Sequence, residues 1–303
     1  ITAAIATAVP LTTRGDLLTR GASANARLAI GTSGYHVQSN GTDAAWAGFL
    51  QAGTSAVTRT WQDKGREVVD VKDFGATGDG STNDTAAIQA AITAVSATNR
   101  TLRISPGTYM ITPATVFADE DGGYTTYAAF ILASNLHIVA DASAVFKIAN
   151  NVSTDASPKS MAMFATNGVL SGLQIYGLDM DMNGANNLIS PSRGSDTYNL
   201  WNQSQFLVSG TPAGVAARID DVVIEGCTFR NNPGVCCLCM GQSNTASTTL
   251  GKRWRVVGNR FIENGLDTSD HTAVYGCADD VIFENNEIMN STAYGTGGPA
   301  GGG

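Results

Sequence analysis

Val68-Val69-Asp70-Val71-Lys72-Asp73-Phe74-Gly75-Ala76-Thr77-Gly78-Asp79-Gly80, running on through Ser81-Thr82-Asn83-Asp84 into Thr85-Ala86-Ala87-Ile88-Gln89-Ala90-Ala91-Ile92, divides a 303-residue chain into two unlike parts. It reads as a short strand over 68–71, a loop in which Gly75, Gly78 and Gly80 supply left-handed backbone, and a helix. Asn83 or Asp84 is expected at the N-cap, where a short side-chain oxygen accepts a free amide hydrogen of the first turn. Ile88, Ala91, Ile92 and Val95 fall at i, i+3, i+4 and i+7, so the helix carries one narrow apolar stripe that must lie on another element. Thr101 to Ile111, two alternating runs broken at Pro106-Gly107, supplies short strands for it to cover.

This order of strand, glycine loop, helix and strand pair, "VKDFGATGDGSTNDTAAIQAAI" and then "LRISPGTYMI", resembles the opening of the pectate-lyase-like right-handed parallel β-helix family. The resemblance implies an all-β solenoid whose first open coil is plugged by the helix, protecting unpaired strand edges. It does not imply an activity, because the family holds lyases, hydrolases and pure binders alike.

Composition agrees with a folded, turn-rich chain: 43% hydrophobic, 15% charged, 34 glycines and 8 prolines exclude general disorder and long helical bundles. A net charge of −8 argues against nucleic acid as a partner and mildly against a strongly anionic polysaccharide. The five cysteines, Cys227, Cys236, Cys237, Cys239 and Cys277, show no CxxC or His/Cys ligand spacing and read as buried small hydrophobes. No apolar run approaches the roughly 20 residues of a membrane span. The first ten residues lack the positive region of a signal peptide. Without an initiator Met, the sequence is expected to start inside a longer polypeptide.

Three segments are expected: a stalk or adaptor over 1–67, the capping strand, loop and helix over 68–99, and coils over 100–303. Residues 1–67 are short β-runs separated by glycine turns, too poor in large apolar residues to close a core alone, and oligomerisation is the usual remedy. Their pattern resembles the small repeat near the N-termini of bacteriophage tail fibres. Phe49 to Ala76 resembles the junction between a tailspike's virion-binding part and its β-helix. The resemblance implies a homotrimer in the phage virion, attached to other tail or baseplate proteins and facing a host-surface glycan. Ile1 and Ile5 stand at the spacing that would start a three-stranded helical bundle.

Beyond residue 100, segments beginning at Leu173, Val222, Trp254 and Val281 superpose, at intervals of 49, 32 and 27 residues. Such loosely periodic repeats mark a solenoid with coils of unequal loop length. In each, the first and third residues are expected inward and the second and fourth outward. Cys227, Asn259 and Asn286 then share one turn position, where stacked asparagines would bond from coil to coil. Leu136 to Ala140 is expected to begin an earlier coil and Phe164 to Gln174 another. The glycine-rich end, without a cap, suggests a chain that continues past Gly303.

Cleaving members of the family place paired carboxylates on an outward groove. Glu225 and Glu284 occupy one outward repeat position with Val257 between them. At about 4.8 Å per coil their backbones would stand roughly 10 Å apart, near the roughly 6.5–9.5 Å of inverting glycosidases. Two solvated surface glutamates would give the same pattern. Asp267, Asp270 and His271 cluster on the loop leaving the third repeat, as an acid/base site or as ordinary turn residues. Tyr198, Trp201 and Arg193, in a long non-periodic insertion expected to leave the stack, read as a sugar-binding loop or a subunit contact.

Asp279-Asp280 reads as a turn, and Arg260 and Glu287 as a cross-strand ion pair. His36 and His137 carry no partner pattern. No nucleophile arrangement, phosphate loop or metal constellation is present, so no cofactor is expected. The paired aspartates and the His-Gly and Arg-x-Lys signatures of the polygalacturonase branch do not occur in order. Three functions therefore remain: a phage tailspike or tail fibre subunit that recognises a host polysaccharide, with or without cleaving it, a bacterial extracellular lyase or hydrolase, and a purely structural tail spacer.

Overall fold

The computed structural model describes residues 11–20, 24–118, 125–154, 157, 159–166, 168–187, 205–209, 218–234, 236–240, 251–264, 272–275 and 278–289. The chain divides into two compact units, 1–68 and 69–303.

The first unit is built of two antiparallel hairpins, β1 (Leu17–Arg20) with β2 (Asn25–Leu28) and β3 (His36–Ser39) with β4 (Ala44–Ala47), and a short helix α1 (Trp61–Gly65). Polar side chains fix its turns. The Asp16 carboxylate accepts from the amides of Thr12, Thr13 and Ile30, and Asn40 accepts from those of Thr42 and Asp43 beside Gly41, whose φ is +97°. His36 stacks on Trp61 at 5.8 Å. Among the described residues the unit buries no apolar side chain fully, and Leu18, Ile30, Leu50 and Val57 are more than half exposed. The helical bundle expected from Ile1 and Ile5 lies outside the described residues.

The second unit opens on β5 (Val68–Asp70), which ends one residue early because Asp70 caps a 3-10 turn over Val71–Phe74, accepting from Lys72 N while Asp73 accepts from Asp70 N. Gly75, Gly78 and Gly80 all take left-handed φ. At Gly78 the requirement is doubled, since a Cβ would stand 2.9 Å from the buried Tyr109 ring. The stretch expected to remain loop contains β6 (Asp79–Asn83). Asp84 precedes the helix α2 (Thr85–Ser96) without a side-chain cap bond; its carboxylate accepts from Thr77 N, Thr77 Oγ1 and Gly78 N and so fixes the glycine loop. As expected, α2 buries Ile88, Ala91, Ile92 and Val95.

From there each coil sends one strand to each of three sheets. The second coil is β7 (Thr101–Ile104), β8 (Gly107–Ile111) and the pair β9 (Thr115–Ala118) and β10 (Thr125–Ile131). The third is β11 (Leu136–Ala140), β12 (Ala144–Ile148) and β13 (Ser160–Thr166), and the fourth is β14 (Val169–Tyr176), β15 (Asp179–Asp181) and β16 (Gln205–Ser209). The fifth is β17 (Arg218–Glu225), β18 (Thr228–Arg230) and β19 (Cys236–Cys239). The sixth is β20 (Gly251–Val257), β21 (Arg260–Ile262) and β22 (Thr272–Tyr275), and β23 (Ala278–Glu284) and β24 (Glu287–Met289) follow.

Sheet one is ordered β5-β7-β11-β14-β17-β20-β23, sheet two β6-β8-β12-β15-β18-β21-β24 and sheet three β9-β10-β13-β16-β19-β22. Coil-to-coil pairing is parallel from β6 and β7 onward, and β9 alone runs antiparallel to its neighbour β10. The protein is thus mostly β, in stacked parallel sheets. Phe164, expected to open a coil, closes one in β13. Within the 49-residue interval from Leu173 to Val222, β15 and β16 keep register on sheets two and three, and the stretch from Ser190 to Trp201 expected to leave the stack lies outside the described residues.

Leu173, Val222, Trp254 and Val281 pair directly, as their alignment requires. The inward column on sheet two is Tyr109, Phe146, Met180, Phe229, Phe261 and Ile288. Phe229 and Phe261 stack at 5.0 Å, and Phe206 meets Phe229 at 5.2 Å. Trp254 is buried with its indole N–H donated to Ile219 O at 2.9 Å. The turn between sheets one and two holds the expected asparagine ladder. Cys227 N donates to Asn259 Oδ1, Asn259 N and Nδ2 donate to Asn286 Oδ1, and the two Nδ2 groups also donate to Ile224 O and Val256 O.

Candidate groove on the outward face of sheet one

Because side chains alternate along a strand, parallel register turns one outward residue per coil into a row. Two such rows cross sheet one: His137, Gln174, Val223, Arg255 and Ile282, then Val139, Tyr176, Glu225, Val257 and Glu284. A third row comes from the residue immediately before the inward position. Gly172, Asp221, Arg253 and Asp280 all lie in the left-handed region there, with φ of +81°, +58°, +56° and +59°. Asp279-Asp280 is therefore part of β23 and not a turn; the reversed φ at Asp280 is a property of this position in every coil from β14 on.

The row of Gln174, Val223, Arg255 and Ile282 and the left-handed row bound a groove of about 590 Å³ across β14, β17, β20 and β23, with Asp221, Arg253 and Asp280 also among its lining. Arg253 makes a two-pronged ion pair with Asp221, at 2.5 and 2.9 Å, and Ser171 donates to the same carboxylate at 2.7 Å. The guanidinium and that hydroxyl hold the Asp221 carboxyl down at about 2. At one end of the groove, Tyr176 donates its hydroxyl to Gln174 Oε1 at 3.3 Å and meets the His137 ring in a T-shaped contact at 5.5 Å. His137 Nδ1 in turn stands 3.0 Å from Thr101 Oγ1. Both tyrosine and histidine remain partly exposed.

Glu225 and Glu284 lie in one row, exposed, with Val257 on the strand between. Asp267, Asp270 and His271, and likewise Arg193, Tyr198 and Trp201, lie outside the described residues. Tyr176, Gln174, Asp221 and Arg253 were not singled out by the sequence, although Gln174 and Tyr176 occupy the outward places of an aligned repeat. Arg260 and Glu287 form the expected exposed ion pair at 2.8 Å.

Other polar clusters are internally satisfied. On sheet two Arg230 donates to Asp179 at 2.8 Å and to Asp181 at 2.7 Å, and Asp181 also accepts from Asn231 Nδ2 and Asn183 N. Cys227, Cys237 and Cys239 are buried free thiols. Burial pushes the Cys227 thiol up to about 12 and raises that of Cys237 as well. Among the described residues no group of His, Cys, Asp and Glu is arranged to hold a metal, and no helix is long and apolar enough to cross a membrane.

No curated protein matches the chain. Among solved structures it is similar to the tailspike protein of E. coli bacteriophage HK620 in complex with a pentasaccharide, at 18% identity and a TM-score of 0.59 over 82% of this chain and 39% of that one. A single mutant of the same tailspike with pentasaccharide gives a TM-score of 0.62 at 17% identity over 82% and 40%, and a double mutant 0.62 at 17% over 82% and 39%. The chain thus spans about two fifths of the tailspike's length, and the likeness is one of fold. Residues 68–190 match the family model described as rhamnogalacturonase A/epimerase, pectate lyase-like. Together with the stacked parallel sheets, these matches give the second unit a parallel β-helix fold, with the pectate-lyase-like family model matched over residues 68–190.

Proposed function

We propose that the chain is part of a phage tailspike or tail fibre subunit whose β-helix recognises a host-surface polysaccharide through the groove on sheet one. The groove carries the reading: it is open, about 590 Å³, walled by an ion pair and flanked by a partly exposed tyrosine, a combination suited to the alternating polar rim and apolar face of a sugar. The HK620 tailspike, of similar fold, is in complex with a pentasaccharide in its solved structure, which supports the reading by analogy. In this proposal residues 1–67 attach to other tail or baseplate proteins, 68–99 cap the solenoid and three copies assemble. The exposed apolar side chains of the first unit favour assembly. Three equivalent sites would then let weak single contacts suffice.

Cleavage is a second reading, favoured by one observation: Glu225 and Glu284 share an outward row two strands apart, a backbone spacing of about 10 Å. Asp267, Asp270 and His271 are the further acid/base candidates, and Arg193, Tyr198 and Trp201 the further sugar contacts. Glycan-array binding combined with reducing-end release from host capsule tests both readings on the full chain and on Glu225→Gln, Glu284→Gln and Asp267→Asn. Lost release with retained binding supports catalysis. Binding without release by any form leaves an adhesin, and neither binding nor release leaves the structural spacer.

A further inference from the structure

Arg59-Thr60-Trp61-Gln62-Asp63-Lys64-Gly65-Arg66-Glu67, the last stretch of the first unit before β5, is docked against the β3–β4 hairpin and its flanking residues Gly34 and Phe49. An isolated bridge joins Arg59 to Phe49 through two main-chain bonds of 2.8 and 2.9 Å, and the Trp61 amide donates to Gly34 O at 3.0 Å. Trp61 stacks on His36 and meets Phe49 in a T-shaped contact at 5.4 Å, while Lys64 Nζ stands 5.2 Å from the centre of the Phe49 ring. Thr60 Oγ1 caps α1, accepting from Asp63 N at 2.9 Å.

The rest of the attachment is electrostatic. The Glu67 carboxylate accepts from Arg59 at 2.6 Å and from Lys64, and Arg59 also reaches Asp63 at 3.5 Å. Lys64 and Arg59 together hold the Glu67 carboxyl below its usual range. Arg59, Asp63, Lys64 and Glu67 are all at least a third exposed, α1 buries no residue, and Trp61 itself is 36% exposed. Exposed ion pairs are individually weak and fade with salt. The hold changes abruptly after Val68. Asp70 caps its turn and accepts from Ser105 Oγ at 2.7 Å, and Val71 is fully buried. A segment with few buried contacts opens locally before the structure around it.

We propose that residues 59–67 form a salt-sensitive strap with two states. Closed, it is docked on β3–β4 and ordered structure runs up to β5. Open, it is a free tether between that hairpin and β5, while both units keep their folds. Glu67 is the catch, since its one carboxylate joins the end of the strap to its beginning at Arg59. Tether length sets the reach between linked sites, so in an assembly of several copies the strap governs that reach, whatever the groove binds.

Hydrogen exchange of the full chain, read by mass spectrometry between about 0.05 and about 1 M sodium chloride, tests this. Peptides spanning 59–67 are expected to exchange about tenfold faster at the higher salt, the combined scale of a few exposed ion pairs. Helix α2, which holds no charged residue, is the reference and should not respond. Glu67→Gln at low salt should reproduce most of the high-salt increase, and adding Arg59→Gln should change little further, because the two side chains belong to one contact. Peptides of β3–β4 should exchange as in the parent. Salt-independent exchange of 59–67, exchange as slow as that of α2, or a Glu67→Gln variant indistinguishable from the parent overturns the strap. Loosening of β3–β4 together with 59–67 overturns it as well, since the segment then opens only with its unit. None of these outcomes touches the glycan reading of the groove, which stands or falls on the binding assay above.

Discussion

Asn259→Ala removes the middle rung of the asparagine ladder, and its cost can be worked from the bonds it makes. Asn259 is fully buried. Its Oδ1 accepts from Cys227 N at 2.9 Å, and its Nδ2 donates to Ile224 O at 2.9 Å and to Asn286 Oδ1 at 3.0 Å. Alanine leaves the Cys227 amide hydrogen inside the turn with no acceptor, a penalty of about 1–3 kcal/mol, and loses the Ile224 bond for about 1 kcal/mol more. The expected loss is about 3 kcal/mol, or roughly 6–12 °C in Tm for a domain of this size. Arg260→Ala, which removes only an ion pair half exposed at both ends, should cost about 0–1 kcal/mol on the neighbouring residue.

Denaturant unfolding gives the totals, and hydrogen exchange locates the effect, because a solenoid can open from its coils outward. Faster exchange should concentrate in β17, β20 and β23. Asn259→Asp keeps the acceptor but loses the donor and buries a carboxylate, so its folded-state pKa is raised. A raised folded pKa favours the native state while the group is protonated, so this variant should be least stable near pH 7 and regain stability as pH falls towards 4. A loss below about 0.5 kcal/mol for Asn259→Ala, with exchange unchanged, would refute the claim that the ladder holds adjacent coils together.

Gly78→Ala should destabilise by about 2–4 kcal/mol, adding left-handed strain to a Cβ 2.9 Å from the immobile Tyr109 ring. Gly75→Ala meets no neighbouring atom and should cost about 1 kcal/mol; equal costs for the two in thermal unfolding would discard the steric argument. The Asp221 carboxyl, depressed by Arg253 and Ser171, should titrate near 2 by carbon-detected NMR and return towards the ordinary value in Arg253→Gln. Since its folded pKa lies below its unfolded one, the stability it contributes is present above about pH 4 and fades as pH falls towards 2. Cys227 and Cys237 should resist iodoacetamide at pH 8 in the folded chain and react after denaturation, as peptide mapping would show; modification in the native state would contradict their burial and raised thiol pKa.

Much of the solenoid was legible because its period is short. The stripe of α2 follows from residues three and four apart, and the segments starting at Leu173, Val222, Trp254 and Val281 align because each alternates inward and outward within a few residues. β6 was not legible: Asp79-Gly80-Ser81-Thr82-Asn83 has no apolar alternation and is exposed throughout, and it becomes a strand by pairing with β8. Sheet three was equally opaque, since β13 is buried on every residue from Ser160 to Thr166 and so shows a continuous run instead of a period of two. The groove escaped for a different reason. Its wall depends on left-handed φ at Asp221, Arg253 and Asp280, where the usual glycine signal is missing, and its rows join residues 27 to 49 positions apart.

The parallel register also makes the outer surface a ruler. Adjacent marks are set at about 4.8 Å by main-chain hydrogen bonds that do not read side-chain identity. Substituting an outward residue re-labels one mark and leaves the aromatic column beneath it untouched. Duplicating or deleting a whole turn of the chain slides every later mark by one step, carrying Glu284 towards or away from Glu225 in fixed increments. A lineage built this way can therefore retune what it grips by swapping and counting turns, without redesigning its interior.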